Sequence, residues 1–176
     1  MTKPYIIFAR YNAEANSKII EILRNLPHAE REKERGSFYG SLSGIVRHIL
    51  GGSCYISGLF TKALSGNAAA SDALAVIAAV PHAPEGVLTD EQWQETATSI
   101  GAADSGYIAL TKALRNDDLD LPIKLDWYGG KPDAVPLWFM LQQLTAHHTH
   151  HRGQISQIFD ELKIDNDYSG MSPSLL

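Results

Sequence analysis

The stretch Ala146-His147-His148-Thr149-His150-His151-Arg152-Gly153-Gln154 places four of the seven histidines of this chain within five consecutive positions. It lies inside a longer segment, residues 136–162, whose apolar side chains recur at spacings of three and four. That spacing predicts an amphipathic helix. Side chains four positions apart share one face of a helix, so His147 and His151 are placed to bind one metal ion together.

The apolar residues of this segment predict which of the four histidines are buried. Stepping 100° per residue, His151 falls within the apolar face, His148 near it and His147 on its edge, whereas His150 points away. Helical metal sites use spacings of three as well as four. Periodicity therefore leaves two pairs open, His147 with His151 or His148 with His151. The apolar face is defined by Leu137, Leu141, Leu144, Ile155, Ile158, Phe159 and Leu162.

Three other segments show the same helical periodicity, at residues 4–26, 41–60 and 89–114. Ser41 is placed to cap the second of them, and Thr89-Asp90-Glu91-Gln92 resembles a capping box that begins the third. Glycines in the second segment, among them Gly51 and Gly52, predict either the close approach of a neighbouring helix or of a substrate, or a weak point in the helix. Gly101 or Gly106 is expected to loosen the third.

The connections are less regular. Residues 68–80 predict a short helix, and the charged run at 30–36 is expected to be exposed to solvent. Residues 119–127 alternate apolar and polar side chains, and because they include Pro122, they predict an edge strand or an extended loop. A turn is expected at 128–130. After the last helix, residues 165–176 predict an irregular tail. Four long helices with such links predict an all-α protein, a four-helix bundle.

Composition limits the class of protein. The 176 residues suit one domain, residues 1–176, and the net charge of −5 argues against a nucleic-acid or anionic-membrane partner. The single cysteine, Cys54, is typical of a reducing cytoplasm. The amphipathic start of the chain does not have the pattern of a signal peptide, and no apolar run is long enough to span a membrane. We therefore expect a cytoplasmic single-domain protein.

The run from His147 to Ile155 resembles the H-x-x-x-H-R-G-Q signature of the DinB (damage-inducible) family of bacterial proteins. Residues 11–16, the Leu26-Pro27 end of the first helix and the His48-Ile49-Leu50 step of the second are similar to other landmarks of the family. The resemblance covers most of the chain. It implies a four-helix bundle with up-down-down-up topology, a homodimer, and damage-inducible expression.

The resemblance also implies a metal site. Its members commonly hold zinc or nickel with one histidine from the second helix and two from the signature, which here are His48, His147 and His151. The family often has an acidic residue soon after the first ligand, but this chain has Gly51-Gly52-Ser53-Cys54 there. Gln154, the last residue of the signature, either orients a ligand or docks the helix.

Three neutral imidazoles leave a bound ion one open position, as in catalytic zinc sites. Relatives with this bundle include thiol S-transferases and a thiol-dependent maleylpyruvate isomerase. The resemblance therefore implies a metal-dependent transferase that activates a low-molecular-weight thiol for attack on a small-molecule electrophile. The alternatives are a metal-water hydrolase and a non-catalytic metal-binding stress-response protein.

Several other polar residues are candidates for a role at the site. Arg152 either pairs with a substrate carboxylate or forms a salt bridge to a neighbouring helix. Tyr11 and Asn12, with Asn16, either place polar groups in the end of the bundle, where the first two could contact a substrate, or serve as caps or lie exposed at the surface. Cys54 is a fourth ligand, a reactive thiol or a small buried residue.

Overall fold

The computed structural model of the chain describes residues 2–125 and 133–176. Its six α-helices are α1 (Lys3–Arg24), α2 (His28–Arg31), α3 (Leu42–Gly58), α4 (Ala68–Ala78), α5 (Asp90–Ala113) and α6 (Leu137–Glu161). Two short strands, β1 (Pro122–Lys124) and β2 (Ala134–Pro136), form an antiparallel pair immediately before α6. Short 3₁₀ turns span Asn116–Asp120 and Pro173–Leu175.

Two clusters of buried apolar side chains show how the four long helices run. One cluster combines the C-terminal halves of α1 and α6 with the N-terminal halves of α3 and α5. The other combines the N-terminal ends of α1 and α6 with the C-terminal halves of α3 and α5. The first and last long helices thus run one way and the middle two the other. This is the four-helix bundle that the sequence predicted, with the up-down-down-up topology that the family resemblance implied.

The predicted starts of the helices are confirmed. Ser41 caps α3, its hydroxyl accepting from the amide of Gly44 at 3.1 Å, and Thr89 and Gln92 form the complete capping box of α5. The expected loosening of α5 at its glycines is wrong, because the helix is continuous from Asp90 to Ala113. Gly106 instead admits α4: a Cβ there would lie 2.7 Å from Ile77.

The charged run after α1 is only partly exposed, which corrects its expected exposure. Arg31 keeps 5% of its surface accessible. Its guanidinium lies 5.1 Å from the Trp93 ring and forms an ion pair with Asp90 at the start of α5. A charged side chain with an apolar stem can cover an aromatic ring and still reach a carboxylate. Through Arg31, the charged run therefore fastens the connection between α1 and α3 to the start of α5.

The extended segment before the last helix forms, in its described part, a strand as predicted. Pro122 lies opposite Pro136 in the two-stranded pair, where neither strand has a second neighbour. Residues 126 and 127 of that segment and the turn predicted at 128–130 lie outside the described residues. The tail is irregular as predicted, but it packs on the bundle through Tyr168, which is 7% exposed. No helix of the described residues is long and apolar enough to cross a membrane.

Candidate metal centre

Three histidines from two antiparallel helices converge between α3 and α6. The ring nitrogens that His48, His147 and His151 offer all lie within 4.8 Å of one another, and Nε2 of His48 is 2.9 Å from Nε2 of His147. We call these three residues the three-histidine cluster. Among the described residues, no carboxylate or thiol joins them in a group with the spacing of metal ligands. The cluster contains the His147–His151 pair, one of the two that periodicity left open.

A glycine of α3 makes room for the ring of His147. A Cβ on Gly52 would lie 2.4 Å from Cε1 of His147, far inside van der Waals contact. A Cβ on Gly51, one position earlier, would meet nothing within 4 Å. Of the two explanations for glycines in this helix, the close approach of a neighbour therefore holds for Gly52. The absence of its side chain allows the imidazole to reach the ring of His48.

The orientation of His151 is set by Gln154, one helical turn further along α6. Oε1 of Gln154 lies 2.7 Å from Nδ1 of His151. A carbonyl oxygen only accepts hydrogen bonds, so Nδ1 carries the proton and Nε2 keeps its lone pair. Partners of this kind fix the tautomer and ring orientation of metal-binding histidines.

Tyr39, in the turn before α3, covers His48. The two rings stack with centroids 3.8 Å apart and planes 18° from parallel, and the edge of His151 contacts the same tyrosine with centroids 5.3 Å apart. Gly40 follows with a positive φ of 74°, and its amide donates to the carbonyl of Ser37 at 2.9 Å. The sequence did not single out Tyr39, because its position depends on this turn and not on a helical period.

Burial keeps the cluster neutral. Desolvation, followed by the nearby charge of His151, lowers the pKa of His48 to about 4. Desolvation and the neighbouring histidines lower the pKa of His147 to about 4 as well. Burial also lowers the pKa of His151, and the hydrogen bond with Gln154 opposes that shift. Each ring then offers an unprotonated nitrogen at neutral pH, which is the form that binds metals.

The other two histidines of the signature lie outside the cluster. His148 is buried, and its Nε2 lies 2.9 Å from Oγ of Ser53 on α3. That hydroxyl donates to the carbonyl of Ile49 at 3.1 Å, so Nε2 of His148 is the donor to Oγ. His150 is exposed. The structure confirms that His148 and His151 are buried, His147 half-buried and His150 exposed, although His148, at 2% exposed, is more buried than His151, at 5%, which the prediction ranked first.

A second group of polar side chains lies beside the cluster, between α1, α5 and α6. The amide nitrogen of Asn16 donates to both carboxylate oxygens of Asp104, at 3.1 and 3.0 Å. The amide oxygen of Asn16 accepts from the guanidinium of Arg152 at 3.5 Å. We call these three residues the polar network. Burial raises the pKa of Asp104 to about 7, although Asn16 and Arg152 oppose that shift.

Arg152 and Tyr11 contact other parts of the protein. None of the ion pairs found among residues 2–125 and 133–176 includes Arg152, so the salt bridge considered from the sequence is replaced by the link through Asn16. Its guanidinium stacks on the ring of Tyr11 at 5.0 Å. The Tyr11 hydroxyl lies 3.2 Å from the carbonyl of Tyr168 and 3.3 Å from that of Ser169.

Asn12 and Cys54 complete the predicted set. Asn12 is 1% exposed, and neither of its amide atoms has a hydrogen-bond partner in the described structure. Cys54 faces α4, with Sγ 3.9 Å from the carbonyl of Ile77, and burial raises the pKa of its thiol. Cys54 is not part of the three-histidine cluster. A substrate contact for Arg152, Tyr11 and Asn12 stays a prediction.

These features define a class: a four-helix bundle in which two antiparallel helices bring three histidines together in a group that could hold a divalent metal ion. The profile of the DinB family matches residues 1–162. The chain therefore belongs to the DinB family, as the H-x-x-x-H-R-G-Q resemblance indicated. Neither the curated proteins nor the solved structures that were searched include a significant match.

Proposed function

We propose that His48, His147 and His151 hold a divalent metal ion, zinc or nickel, and that the protein is a transferase which activates a low-molecular-weight thiol. The observation that carries the proposal is the convergence of three imidazoles from two helices within 4.8 Å. Ligands bonded to a tetrahedral zinc ion at about 2.0–2.1 Å lie roughly 3.3 Å from one another. The 2.9 Å between Nε2 of His48 and Nε2 of His147 is close to that spacing, and all three rings lie within 4.8 Å, so a movement of the side chains would bring the third nitrogen to it.

The donor set indicates what kind of centre this would be. Three neutral imidazoles would leave a divalent ion its full charge and an open position, where it lowers the pKa of a bound thiol or water. Structural zinc sites are instead closed by four protein ligands. No carboxylate or fourth protein ligand joins the cluster in the part of the chain that the structure describes. This donor set supports a catalytic centre.

The surrounding residues hold the three rings in place. Gln154 keeps the proton of His151 on Nδ1, so Nε2 remains available. Gly52 leaves the space that His147 occupies. Tyr39 stacks on one face of His48 and supports that ring. Because all three rings are held in position and the tautomer of His151 is fixed, the cluster needs little rearrangement to bind a metal ion.

Metal analysis of protein purified without a histidine tag tests the centre. We expect one equivalent of divalent metal per chain, and its loss in His151→Ala. The matched control is His150→Ala, an exposed histidine one position away, which should keep the metal. Full stoichiometric metal in His151→Ala would show that the proposed centre is wrong.

The reaction is tested with a panel of small thiols and a chromogenic aryl chloride. In the expected reaction, the thiol sulfur displaces chloride, a thioether forms, and the proton of the thiol is released to solvent. Turnover should require both the thiol and the metal, and should be lost in His151→Ala. Thiol-independent hydrolysis of esters or amides would instead identify the hydrolase alternative. Bound metal without either activity would identify a non-catalytic metal-binding stress-response protein.

Membership of the DinB family also supports a wider proposal about the protein in the cell. We propose that residues 1–176 form one domain, that the chain forms a homodimer, and that it acts in the cytoplasm on a small-molecule substrate. Light scattering of the purified protein tests the homodimer, and transcript measurement after DNA damage tests the inducible expression that the family name suggests. The proposal includes no nucleic-acid or membrane partner.

A further inference from the structure

A cleft of about 280 Å³ lies against His48, on the side of α3 next to the loop that precedes α5. Its walls come from the turn before α3, the N-terminal half of α3 and residues 82–85. The cleft borders both His48 and Tyr39, so a ligand filling it would lie next to the three-histidine cluster. Its volume is close to the lower end of the range for small-molecule sites, about 300–1,000 Å³.

The loop wall of the cleft is held in place by Arg47. One guanidinium nitrogen, NH1, donates to the carbonyl of Pro84 at 2.7 Å and to that of Gly86 at 3.1 Å. Gly86 has a positive φ of 88°, which glycine adopts without strain. An arginine has five N–H groups. Arg47 therefore fastens the loop to α3 with part of its donor capacity and keeps further donors for a ligand.

The cleft carries one positive and one negative side chain that do not pair with each other. Arg47 and Glu85 both line it, yet neither takes part in an ion pair within 4.0 Å among the described residues. Glu85 is exposed. Two opposite charges that share a cleft without pairing are complementary to a small ligand that carries both charges.

Gly51 provides open space in the same cleft. It lines the cleft on α3, and a Cβ at this position would meet nothing within 4 Å. A Cβ there would not touch the histidines, and a longer side chain would extend into the cleft. This distinguishes it from Gly52, where the ring of His147 occupies the space.

We propose that this cleft binds the thiol cosubstrate and selects one of amino-acid size that is zwitterionic. The carboxylate of the thiol is recognised by Arg47 and its ammonium group by Glu85, so that the sulfur lies beside His48. The inference rests on the proposed function, because it names the class of thiol that the same centre would use. The two residues that recognise the charges of the thiol, Arg47 and Glu85, are not proposed metal ligands.

The test uses calorimetry to measure how tightly three thiols of similar size bind to the zinc-loaded full-length protein. L-cysteine carries both charges, N-acetylcysteine lacks the ammonium group, and cysteine methyl ester lacks the carboxylate. We expect L-cysteine to bind about fivefold more tightly than either analogue, the scale of an exposed ion pair. L-cysteine also chelates metals through nitrogen and sulfur, so the variants below decide the result.

Glu85→Gln should weaken the binding of L-cysteine and of the methyl ester by about fivefold. The binding of N-acetylcysteine should be unchanged. Gly51→Leu should abolish the binding of all three thiols with the zinc retained. Its matched control is Gly58→Leu, at another α3 position where a Cβ meets nothing within 4 Å, and it should bind all three normally.

Other outcomes separate this inference from the proposed function. Equal effects of Glu85→Gln on all three thiols, or no effect on any, would overturn the charge recognition while leaving the thiol reaction standing. Normal binding in Gly51→Leu would show that the thiol lies outside the cleft. If no thiol binds to the zinc-loaded protein, both the cleft inference and the thiol transferase are wrong.

Discussion

His151 and Arg152 are consecutive on α6, yet they belong to two regions of opposite character. In the polar network, Arg152 and Asp104 are linked through the amide of Asn16, which donates to one and accepts from the other. In the three-histidine cluster, three imidazole rings face one another, and Nε2 of His48 lies 2.9 Å from Nε2 of His147. The polar network pairs donors with acceptors inside the protein, whereas the cluster brings ring nitrogens of three histidines toward one point.

This difference shows which region is complete without a ligand. A buried polar group is costly unless a partner satisfies it. The network meets that requirement with its own residues, so its role is to hold α1, α5 and α6 together. Each neutral imidazole has one N–H and one lone pair, and Gln154 holds the N–H of His151 on Nδ1, so Nε2 of that ring directs its lone pair into the cluster. A cation would satisfy it, and this is the physical basis of the proposed metal centre.

The comparison predicts that Asp104 has a strong pH-dependent effect on stability. Burial raises its pKa from 3.8 to about 7, so the folded state binds this proton more tightly than the unfolded chain. Its contribution to stability is therefore fully present below 3.8 and is lost as the pH rises to about 7, by about 4 kcal/mol at most. Asp104→Asn should remove that loss, as urea unfolding of both proteins across this pH window will measure. Parallel pH profiles for the two proteins would show that Asp104 does not titrate as proposed.

A second prediction concerns the two buried asparagines of α1. Asn16→Leu leaves Asp104 without its amide donor and should reduce the free energy of unfolding by about 2–3 kcal/mol. Asn12→Leu is the matched control; since neither amide atom of Asn12 has a partner in the described structure, the change should be neutral or stabilising. Chemical unfolding measures both. Metal binding should persist in each, and its loss in Asn16→Leu would mean that the two regions are not separate.

Gly52→Ala should damage the cluster without unfolding the protein. The added Cβ would lie 2.4 Å from the His147 ring, so the ring must move away, and we expect about 100-fold weaker metal binding. Gly51→Ala, where the Cβ meets nothing within 4 Å, is the control and should bind metal normally. Competition with a chromogenic chelator measures both affinities. Equal affinities would show that His147 is not a ligand.

Gln154→Leu should have a smaller effect on the same centre. Without the acceptor at 2.7 Å from Nδ1, His151 can adopt either tautomer, and metal affinity should fall by about tenfold. The matched control is Gln157→Leu. The side chain of Gln157 is exposed, and in the described structure its only hydrogen bond is the one it donates to Glu161 at 3.2 Å. An unchanged affinity in Gln154→Leu would assign Gln154 to helix docking alone.

Helical periodicity predicted the parts of the fold and site that depend on one helix at a time. Residue types at the helix starts identified the cap at Ser41 and the capping box at Thr89, and periodicity identified the four long helices, all of which the structure bears out. It also ranked His151 and His148 as more buried than His147, and His150 as exposed. These properties follow from local geometry, so one sequence is enough to predict them.

Contacts between elements were not predictable in the same way. The turn that stacks Tyr39 on His48 has no periodic signal, and the need for glycine at position 52 depends on the ring of His147 on another helix. Asp104 did leave a signal, because it lies four residues after Ile100 and three before Tyr107, on the buried face of α5. The choice of His147 over His148 came from the family resemblance.

The most direct test of the account is a crystal structure of the tag-free, metal-loaded protein, measured at the absorption edge of the bound metal. We predict one anomalous peak between α3 and α6, with nitrogen atoms of His48, His147 and His151 at about 2.0–2.2 Å from it. A peak at His148 or His150 with the cluster empty, or no peak in protein shown to contain metal, would contradict the claim that these three histidines form the metal centre.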